Sequence, residues 1–280
     1  MLFRSATVGE PSFWLAVRIS PDGRNLLAGK MDLLSHTGEL WAMDAQHGSG
    51  VQLTHDSSPP GAAVGVWPPA GKQVVVSSMF HGRMGLFAVP AVGSGELKPL
   101  VTKSDDQTPV DWSPDGSRLL YLNADDASSR QSLWIFSFAE NKSHPFLAGK
   151  FNIDDARISP DGHWVAYVGS QSGRDELYVT SFPRPGTPIQ VSTQGAQLPR
   201  WNPNSHQLIY STLDWKLMAV PVSVAPTFKA GEGHPLFTIP RGSEVEVAPD
   251  GKRLLVNQPT GEAATPLTVL VNWQSELGKH

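Results

Sequence analysis

A short turn motif that recurs along the chain limits the possible folds more than any other feature of the sequence. In its clearest copy, Ser113-Pro114-Asp115-Gly116 separates two apolar runs, residues 110–112 and 119–121. Proline presets φ for a turn, aspartate bonds the backbone that follows it, and glycine adopts positive φ without strain. A strand, a tight turn and a second strand in this order predict a β-hairpin.

The turn returns at a regular spacing. Four copies are well preserved and two keep only part of the motif. The second-position prolines, 43 to 48 residues apart, are Pro21, Pro69, Pro114, Pro160, Pro203 and Pro249. A period of this length with strand-only content is typical of propeller blades. We therefore expect an all-β, six-bladed β-propeller with four antiparallel strands per blade, occupying residues 1–280 as a single domain.

The two ends of the chain are expected to meet in the last blade. The sixth repeat, about residues 243–273, has no fourth strand after it, whereas residues 2–8 precede the first repeat and belong to no blade of their own. We expect residues 2–8 to form the outer strand of blade six. This pairing would close the ring and remove an open sheet edge.

Charge and composition exclude several classes of protein. The formal net charge is −4 and only 17% of residues are charged, which argues against a nucleic-acid binder. The absence of cysteine excludes disulfides and thiolate metal sites. No apolar run has the length of a secretory signal or a membrane span, so we expect no membrane insertion by this chain. We also expect the chain to be a monomer. None of this fixes the cellular compartment.

The antiparallel order divides the expected propeller into two faces. The Pro-Asp-Gly turns and the links from third to fourth strands form one face, which we call the turn face. The loops between second and third strands, together with the links between blades, form the opposite face, the loop face. Its segments are longer and more varied, and binding residues usually lie on such loops. We expect the functional site there.

A set of charged residues is expected around the central channel. The residue before the strand aromatic occupies equivalent positions in the six inner strands, which in order are Arg18, Val66, Asp111, Arg157, Arg200 and Glu246. Three arginines and two acids in a circle would suit an anionic ligand or a peptide end. The alternative is a self-neutralising set of salt bridges between blades.

Aromatic and basic groups on the loop face are the other binding candidates: Trp14, His81, Arg83 and Trp215. Trp215 stands where a turn glycine is expected, and His81 and Arg83 flank a glycine that permits close approach of a ligand. Aromatic and arginine side chains are frequent binding anchors. The alternative for Trp215 is packing against an adjacent loop.

Three acidic pairs are predicted on the loop face near blades three and four: Asp105-Asp106, Asp125-Asp126 and Asp154-Asp155. Several carboxylates can hold a hard cation such as Ca²⁺. No ligand loop of EF-hand spacing is present, and the pairs are better explained as solvated loops with Arg130, Arg157 and Arg174 as counter-charges. We therefore expect no cofactor or metal requirement, with Ca²⁺ as the alternative.

The repeats resemble the TolB-type, WD-like β-propeller family, in which a Ser-Pro-Asp-Gly turn recurs in each blade. The C-terminal half is also similar to the extracytoplasmic propellers that follow the kinase domain and membrane helix of bacterial serine/threonine kinases. The matching segments are residues 159–167, 172–179, 199–201, 216–222 and 269–273. The kinase motifs themselves are absent. The resemblance implies a sensor or interaction module in a periplasmic or extracytoplasmic location.

Three hypotheses about function follow. The first is a non-enzymatic module that docks a protein, peptide or small-molecule ligand at the channel mouth on the loop face. The second is a hydrolase or lyase that uses histidine and carboxylates at the channel mouth, with or without a metal. The third is a structural propeller that only spaces other domains. No Gly-x-Ser-x-Gly or His-Glu-x-x-His motif supports the second hypothesis.

Overall fold

A computed structural model describes residues 4–257, apart from 33, 36, 56–63, 92–94, 103–104, 126–127, 129 and 204–205, and residues 265–271. All regular elements in these ranges are β-strands. In the same ranges no helix occurs that is long and apolar enough to cross a membrane.

The strands follow one another with short connections, as the repeat predicts. The first nine are β1 (Arg4–Ser12), β2 (Trp14–Ile19), β3 (Asn25–Asp32), β4 (Thr37–Asp44), β5 (Gly50–Gln52), β6 (Gly65–Val66), β7 (Gln73–Phe80), β8 (Arg83–Pro90) and β9 (Lys98–Val101). The next eight are β10 (Asp106–Trp112), β11 (Arg118–Ala124), β12 (Gln131–Ser137), β13 (Lys142–Leu147), β14 (Ile153–Ile158), β15 (Trp164–Gly169), β16 (Glu176–Ser181) and β17 (Ile189–Gln190). The last eight are β18 (Gln197–Trp201), β19 (Gln207–Ser211), β20 (Lys216–Ser223), β21 (Lys229–Ala230), β22 (His234–Thr238), β23 (Glu244–Val247), β24 (Arg253–Asn257) and β25 (Thr265–Val271).

These strands build antiparallel sheets of propeller type. Within the described residues, five sheets consist of consecutive strands: β2–β5, β6–β9, β10–β13, β14–β17, and β18–β21 with β22 also paired to β20. A further sheet combines both ends of the chain in the order β1-β25-β24-β23. In it, Arg4 lies opposite Val271 in an antiparallel register. The predicted all-β, antiparallel propeller architecture is therefore confirmed.

The recurring turns are hydrogen-bonded units that end one strand and start the next. The Ser113 hydroxyl donates to Asp115 Oδ1 over 2.6 Å, and the Gly116 amide donates to the Ser113 carbonyl over 2.8 Å. Gly116 has φ of +73°, which a glycine adopts without strain. Hydrogen bonds from Ser113 and Ser117 lower the pKa of Asp115 to about 2. The motif is thus explained by local structure alone.

The hydrophobic core lies between neighbouring sheets. One cluster joins Leu27 and Leu40 of one sheet to Val76 and Phe87 of the next. Each buried aliphatic side chain of this kind stabilises the fold by about 1.5–3 kcal/mol. Stacking of sheets, rather than any one sheet, therefore supplies the stability.

The innermost strands stand around a common space, which we call the channel. They are β2, β6, β10, β14, β18 and β23, and each contacts the innermost strands of the sheets before and after it. Two hydrogen bonds also join β2 to β23 and β24, which are remote from it in the sequence. The Val17 amide donates to Glu244 Oε2 over 3.0 Å, and Asn257 Nδ2 donates to the Trp14 carbonyl over 2.7 Å.

Candidate functional site

Ion pairs between the inner strands form the floor of the channel. Arg200 donates from Nη1 to Asp155 Oδ2 and from Nε to Glu246 Oε2, both over 2.9 Å. Arg157 Nη1 lies 2.6 Å from Asp155 Oδ1, and Arg18 Nη1 lies 3.9 Å from Glu246 Oε2. We call these five residues the channel floor. Two carboxylates hold three arginines in one network.

The floor residues shift one another's ionisation. Burial would raise the pKa of Asp155, but Arg157, Arg200 and Arg18 lower it to about 2. Burial would lower the pKa of Arg200, but Asp155 and Glu246 outweigh it and raise that pKa. Both groups are therefore charged at neutral pH. The network contains salt bridges between inner strands, as the alternative interpretation expects, but its three arginines exceed its two carboxylates by one charge.

Asp111 belongs to the same circle but has a different environment. Its two oxygens accept the backbone amides of Trp112 over 2.8 Å and Ile158 over 2.7 Å. Burial raises its pKa to about 6, and the charge of Arg157 and these amides only partly oppose the effect. Val66, the sixth member of the circle, is buried and contributes no charge.

A cavity of about 320 Å³ opens from the floor to the loop face. We call it the loop-face cavity. Its carboxylates are Asp154, Asp155, Asp175 and Glu244, and its apolar lining includes Leu122, Val168, Ala196, Leu198 and Leu213. Desolvation, followed by the charges of Asp175 and Asp155, raises the pKa of Asp154. Neither Asp154 nor Asp175 forms an ion pair with any residue that the structure describes. Arg18 and Arg200 also line the cavity, so its four carboxylates outnumber its two cations and leave a net negative charge.

The backbone around the loop-face cavity is strained. Ala16 and Leu198, which both line it, have φ of +50° and +56°. The pairing register shifts at the same places, between Leu15 and Arg18 and between Gln197 and Arg200. Positive φ in residues other than glycine costs about 1–2 kcal/mol, and β-bulges of this kind are frequent beside binding sites.

A second cavity, of about 360 Å³, opens from the floor to the turn face. We call it the turn-face vestibule. Its walls are the turn prolines and indoles with a few aliphatic side chains: Pro21, Pro69, Pro114, Pro160, Trp67, Trp112, Ile19, Val66 and Val110. Its charged groups are Arg18, Arg157, Asp111 and Glu246. The two cavities therefore share a floor and differ in their walls.

The aromatic and basic candidates of the loop face line neither cavity. Trp14 is only 6% exposed and packs with Val17 and Leu26, so the expectation of a surface tryptophan there was wrong: the inner strand begins at this residue. Trp215 has φ of +64°, the conformation that suits glycine, but its ring is half-buried against the cluster containing Ile239. It packs much as the alternative interpretation expects.

His81 lies at the tip of the β7–β8 hairpin. It is exposed, has φ of +50°, and its ring meets that of Phe80 at a centroid distance of 4.3 Å. Arg83 is half-buried at the start of β8. A role for His81 and Arg83 in binding stays a prediction.

The acidic pairs are dispersed rather than gathered. Asp105 accepts a hydrogen bond from Asn123 and Asp106 accepts one from the Met84 amide, each over 2.8 Å. Asp125 is exposed, and Asp126 lies outside the described residues. Only Asp154 and Asp155 line a channel cavity. Among described residues no three histidine or carboxylate groups are arranged to hold a metal ion.

Sequence reasoning missed several residues of the loop-face cavity. Asp175 and Leu213 come from loops between second and third strands, and Glu244 comes from the start of β23. The only signal that could have found Glu244 is its position two residues before Glu246, since alternate residues of a strand share one side.

Comparison of sequences finds distant relatives. No protein-family model matches the chain. The uncharacterized peptidase YuxL of Bacillus subtilis is 27% identical over 126 residues, which are 40% of this chain and 19% of the peptidase. The chain's match thus spans about a fifth of that relative's length. The uncharacterized protein Atu1656 of Agrobacterium fabrum is 23% identical over 73% of the chain and 67% of its own length.

Comparison of structures finds β-propellers. A candidate TolB of Agrobacterium tumefaciens superposes with a TM-score of 0.67 at 15% identity, over 96% of this chain and 99% of that protein. TolB of Acinetobacter baumannii gives 0.65 at 12% identity, over 91% of this chain and 62% of TolB. An oligogalacturonate lyase in complex with manganese gives 0.65 at 12% identity, over 98% and 82%. At these identities the similarity concerns the fold.

Proposed function

We propose that this chain is a closed six-bladed propeller that binds a cationic group of a protein or peptide partner in the loop-face cavity. The observation that carries the proposal is the set of carboxylates in this cavity, two of which lack an ion-pair partner among the described residues. The raised pKa of Asp154 agrees with it, because a bound cation would relieve the repulsion from Asp175 and Asp155.

Pairing of β1 with β25 and the contact of β2 with β23 support six blades and ring closure. In this proposal the sheet made from both chain ends is the sixth blade. A single domain over residues 1–280 follows from the same arrangement.

The mixed lining of the cavity favours a lysine or arginine side chain over a metal ion. Leu198, Leu213 and Val168 offer apolar contact to a methylene stem, while Asp154 and Asp175 face the charge at its end. Long basic side chains bury their stems and keep their charged ends in polar surroundings. A small hard cation would need several oxygens at one point.

Calorimetric titration with three capped tripeptides tests the proposal: acetyl-Gly-Arg-Gly-amide and its Gln and Glu counterparts. We expect the Arg peptide to bind, and the other two to bind at least roughly tenfold more weakly. Asp154→Asn and Asp175→Asn should each weaken binding of the Arg peptide by roughly tenfold. Asp125→Asn is the matched control, since it removes the same charge from another exposed loop, and affinity should not change. Equal binding of the three peptides would refute the proposal.

The alternative of a hydrolase or lyase is supported by the names of two similar proteins, a peptidase and an oligogalacturonate lyase. It is tested by incubating the protein with oligogalacturonate and Mn²⁺ and measuring unsaturated products. Turnover that Asp154→Asn abolishes would favour this alternative over binding. An extracytoplasmic location, as in the kinase propellers, is a prediction that rests on the sequence resemblance alone.

A further inference from the structure

The sheet of β18–β22 has an outer edge unlike those of the other described sheets. Two short strands pair with β20, β21 at its end and β22 at its start. The link between them lies close against β20. A Cβ at Gly231 would come within 3.0 Å of Pro221 Cγ, and one at Gly233 within 3.2 Å of Val220 Cγ2. Glu232, between these glycines, is exposed, so an acidic side chain stands beside an interrupted outer strand.

A groove of about 460 Å³ lies between this edge and the sheet of β14–β17. We call it the side groove. Residues 191–194, which follow β17, line one side, and residues of β19, β20, β22 and their loops line the other. Its volume is typical of sites for small molecules. The side groove shares no lining residue with the loop-face cavity or the turn-face vestibule.

Tyr210 brings a polar group without a partner to the side groove. The residue lines the groove and is only 8% exposed. Its hydroxyl has no hydrogen-bond partner among the described residues, but it is not shut off from the surface as the hydroxyl of Tyr178 is. A largely desolvated hydroxyl without a partner is costly, so this position gains from a ligand that supplies a hydrogen bond.

The other polar groups of the side groove include both donors and acceptors. The exposed side chains of Thr193 and Gln194 form no hydrogen bond with a described residue, and Glu232 forms no ion pair there. Lys216 Nζ lies 3.7 Å from Asp214 Oδ2, so these two charges offset each other. Hydroxyl and amide groups both donate and accept, whereas a carboxylate only accepts. This mixture suits a ligand with several hydroxyl groups better than it suits an ion.

We propose that the side groove binds a neutral sugar, with the Tyr210 hydroxyl as a central contact. The hydroxyl groups of the sugar would pair with Tyr210, Gln194 and Glu232, and its C–H groups would contact the half-buried side chains of Val191 and Met218. This site does not depend on the function proposed for the loop-face cavity.

Ligand-observed NMR titration of the full chain with maltose, cellobiose and lactose tests the proposal. We expect at least one of these neutral disaccharides to bind. Its affinity should change by less than about twofold between about 20 and 300 mM NaCl, because salt screens charges and the ligand carries none. Binding of none of the three would overturn the proposal. So would binding of spermidine alone that Glu232→Gln abolishes, since that result identifies a cation site.

Variants locate the sugar in the side groove. Tyr210→Phe removes the hydroxyl and keeps the ring in the core, so affinity for the disaccharide should fall roughly fivefold to tenfold. Tyr178→Phe is the matched control, because it removes an unpartnered hydroxyl that lies outside the groove, and affinity should not change. Equal affinities of the two variants would overturn the proposal.

Gln194→Ala provides a second test should Tyr210→Phe fail to fold, because Gln194 is exposed and its loss should leave the melting temperature unchanged. Affinity for the disaccharide should fall several-fold, since an amide that both donates and accepts is lost. Glu232→Gln keeps an acceptor and removes the charge, so affinity should change by less than about threefold. An unchanged affinity of Gln194→Ala, or a larger loss in Glu232→Gln than in Gln194→Ala, would contradict the proposed site.

Discussion

The two cavities that share the channel floor differ in the balance of their charges. On the loop face, four carboxylates line the cavity beside two arginines, and neither Asp154 nor Asp175 forms an ion pair among the described residues. On the turn face, two carboxylates and two arginines line the vestibule. One network of ion pairs thus separates a cavity with a net negative charge from one whose charged groups balance.

The arginines of the floor differ in how fully their donors are used. Arg200 is engaged on both sides, by Asp155 and Glu246, and it also donates to the carbonyls of Pro199 and Val245. Arg157 places all its described hydrogen bonds on a single nitrogen. Removing Arg200 should therefore cost stability, whereas Arg157 leaves Nε and Nη2 buried and without a hydrogen-bond partner among the described residues.

The largest effect is expected from a change that removes the strand joining the two chain ends. Deletion of residues 1–12 removes β1 and exposes the edge of β25. The free energy of unfolding should fall by more than about 3 kcal/mol, measured by urea denaturation. An unchanged stability would show that the pairing of β1 does not close the propeller.

Arg200→Met should break the floor without removing any strand. It leaves Asp155 with one partner fewer and Glu246 with only the distant Arg18, and removing one member of a buried pair costs about 3–5 kcal/mol. The matched control is Arg253→Met, which removes an arginine from an exposed pair with Asp250 and should cost less than about 1 kcal/mol. Similar melting temperatures for the two variants would contradict the structural role of the floor.

The pH dependence of stability should distinguish Asp155 from Asp111. The folded pKa of Asp155, about 2, lies below the ordinary aspartate value of 3.8, so its stabilisation is present above pH 4 and is lost as the pH falls towards 2. The folded pKa of Asp111, about 6, lies above 3.8, so stability is lost as the pH rises from about 4 to 6. Each effect is at most roughly 2–3 kcal/mol.

Urea denaturation across the range pH 2–7 measures both contributions. Asp155→Asn should flatten the acid limb of the stability profile, and Asp111→Asn should remove a decline between pH 4 and 6. The test compares the slopes of the free energy of unfolding against pH, not its absolute values, because each asparagine also changes hydrogen bonds. Identical slopes for both variants would mean that the two carboxylates share one environment.

The smallest effect on stability is expected from relieving the backbone strain at Ala16, which lines the loop-face cavity. Ala16→Gly should raise the free energy of unfolding by roughly 1 kcal/mol, since glycine adopts φ of +50° without strain. Ala88→Gly, in the interior of β8, is the control and should lower it by about 0.5–1 kcal/mol. If both variants destabilise the protein equally, the strain at Ala16 is negligible.

Local signals in the sequence predicted the repeated hairpins and the pairing of the chain ends, because turn chemistry and alternation act over a few residues. They did not predict β21, which pairs with β20 beside β22. Equivalent positions in the repeats grouped the arginines of the floor with Glu246, but they did not include Asp155.

The cavities could not be predicted in the same way. The positions of Asp175, Leu213 and Glu244 depend on the curvature of the whole assembly, which no local pattern encodes. The sequence analysis expected Trp14 on the loop face. Its burial could not be predicted because it depends on neighbours such as Leu255, which is remote in the sequence. The unpartnered edge of Arg157 depends on ångström-scale positions of carbonyl groups, which residue types do not reveal.

The register of β1 on β25 has a consequence for synthesis on the ribosome. Arg4 leaves the ribosome long before its partner Val271 is made. At about 5–20 residues per second, the interval is roughly ten seconds or more. Throughout that time the first strand has no partner, so the nascent chain has to avoid pairing it with other molecules until the last strands emerge.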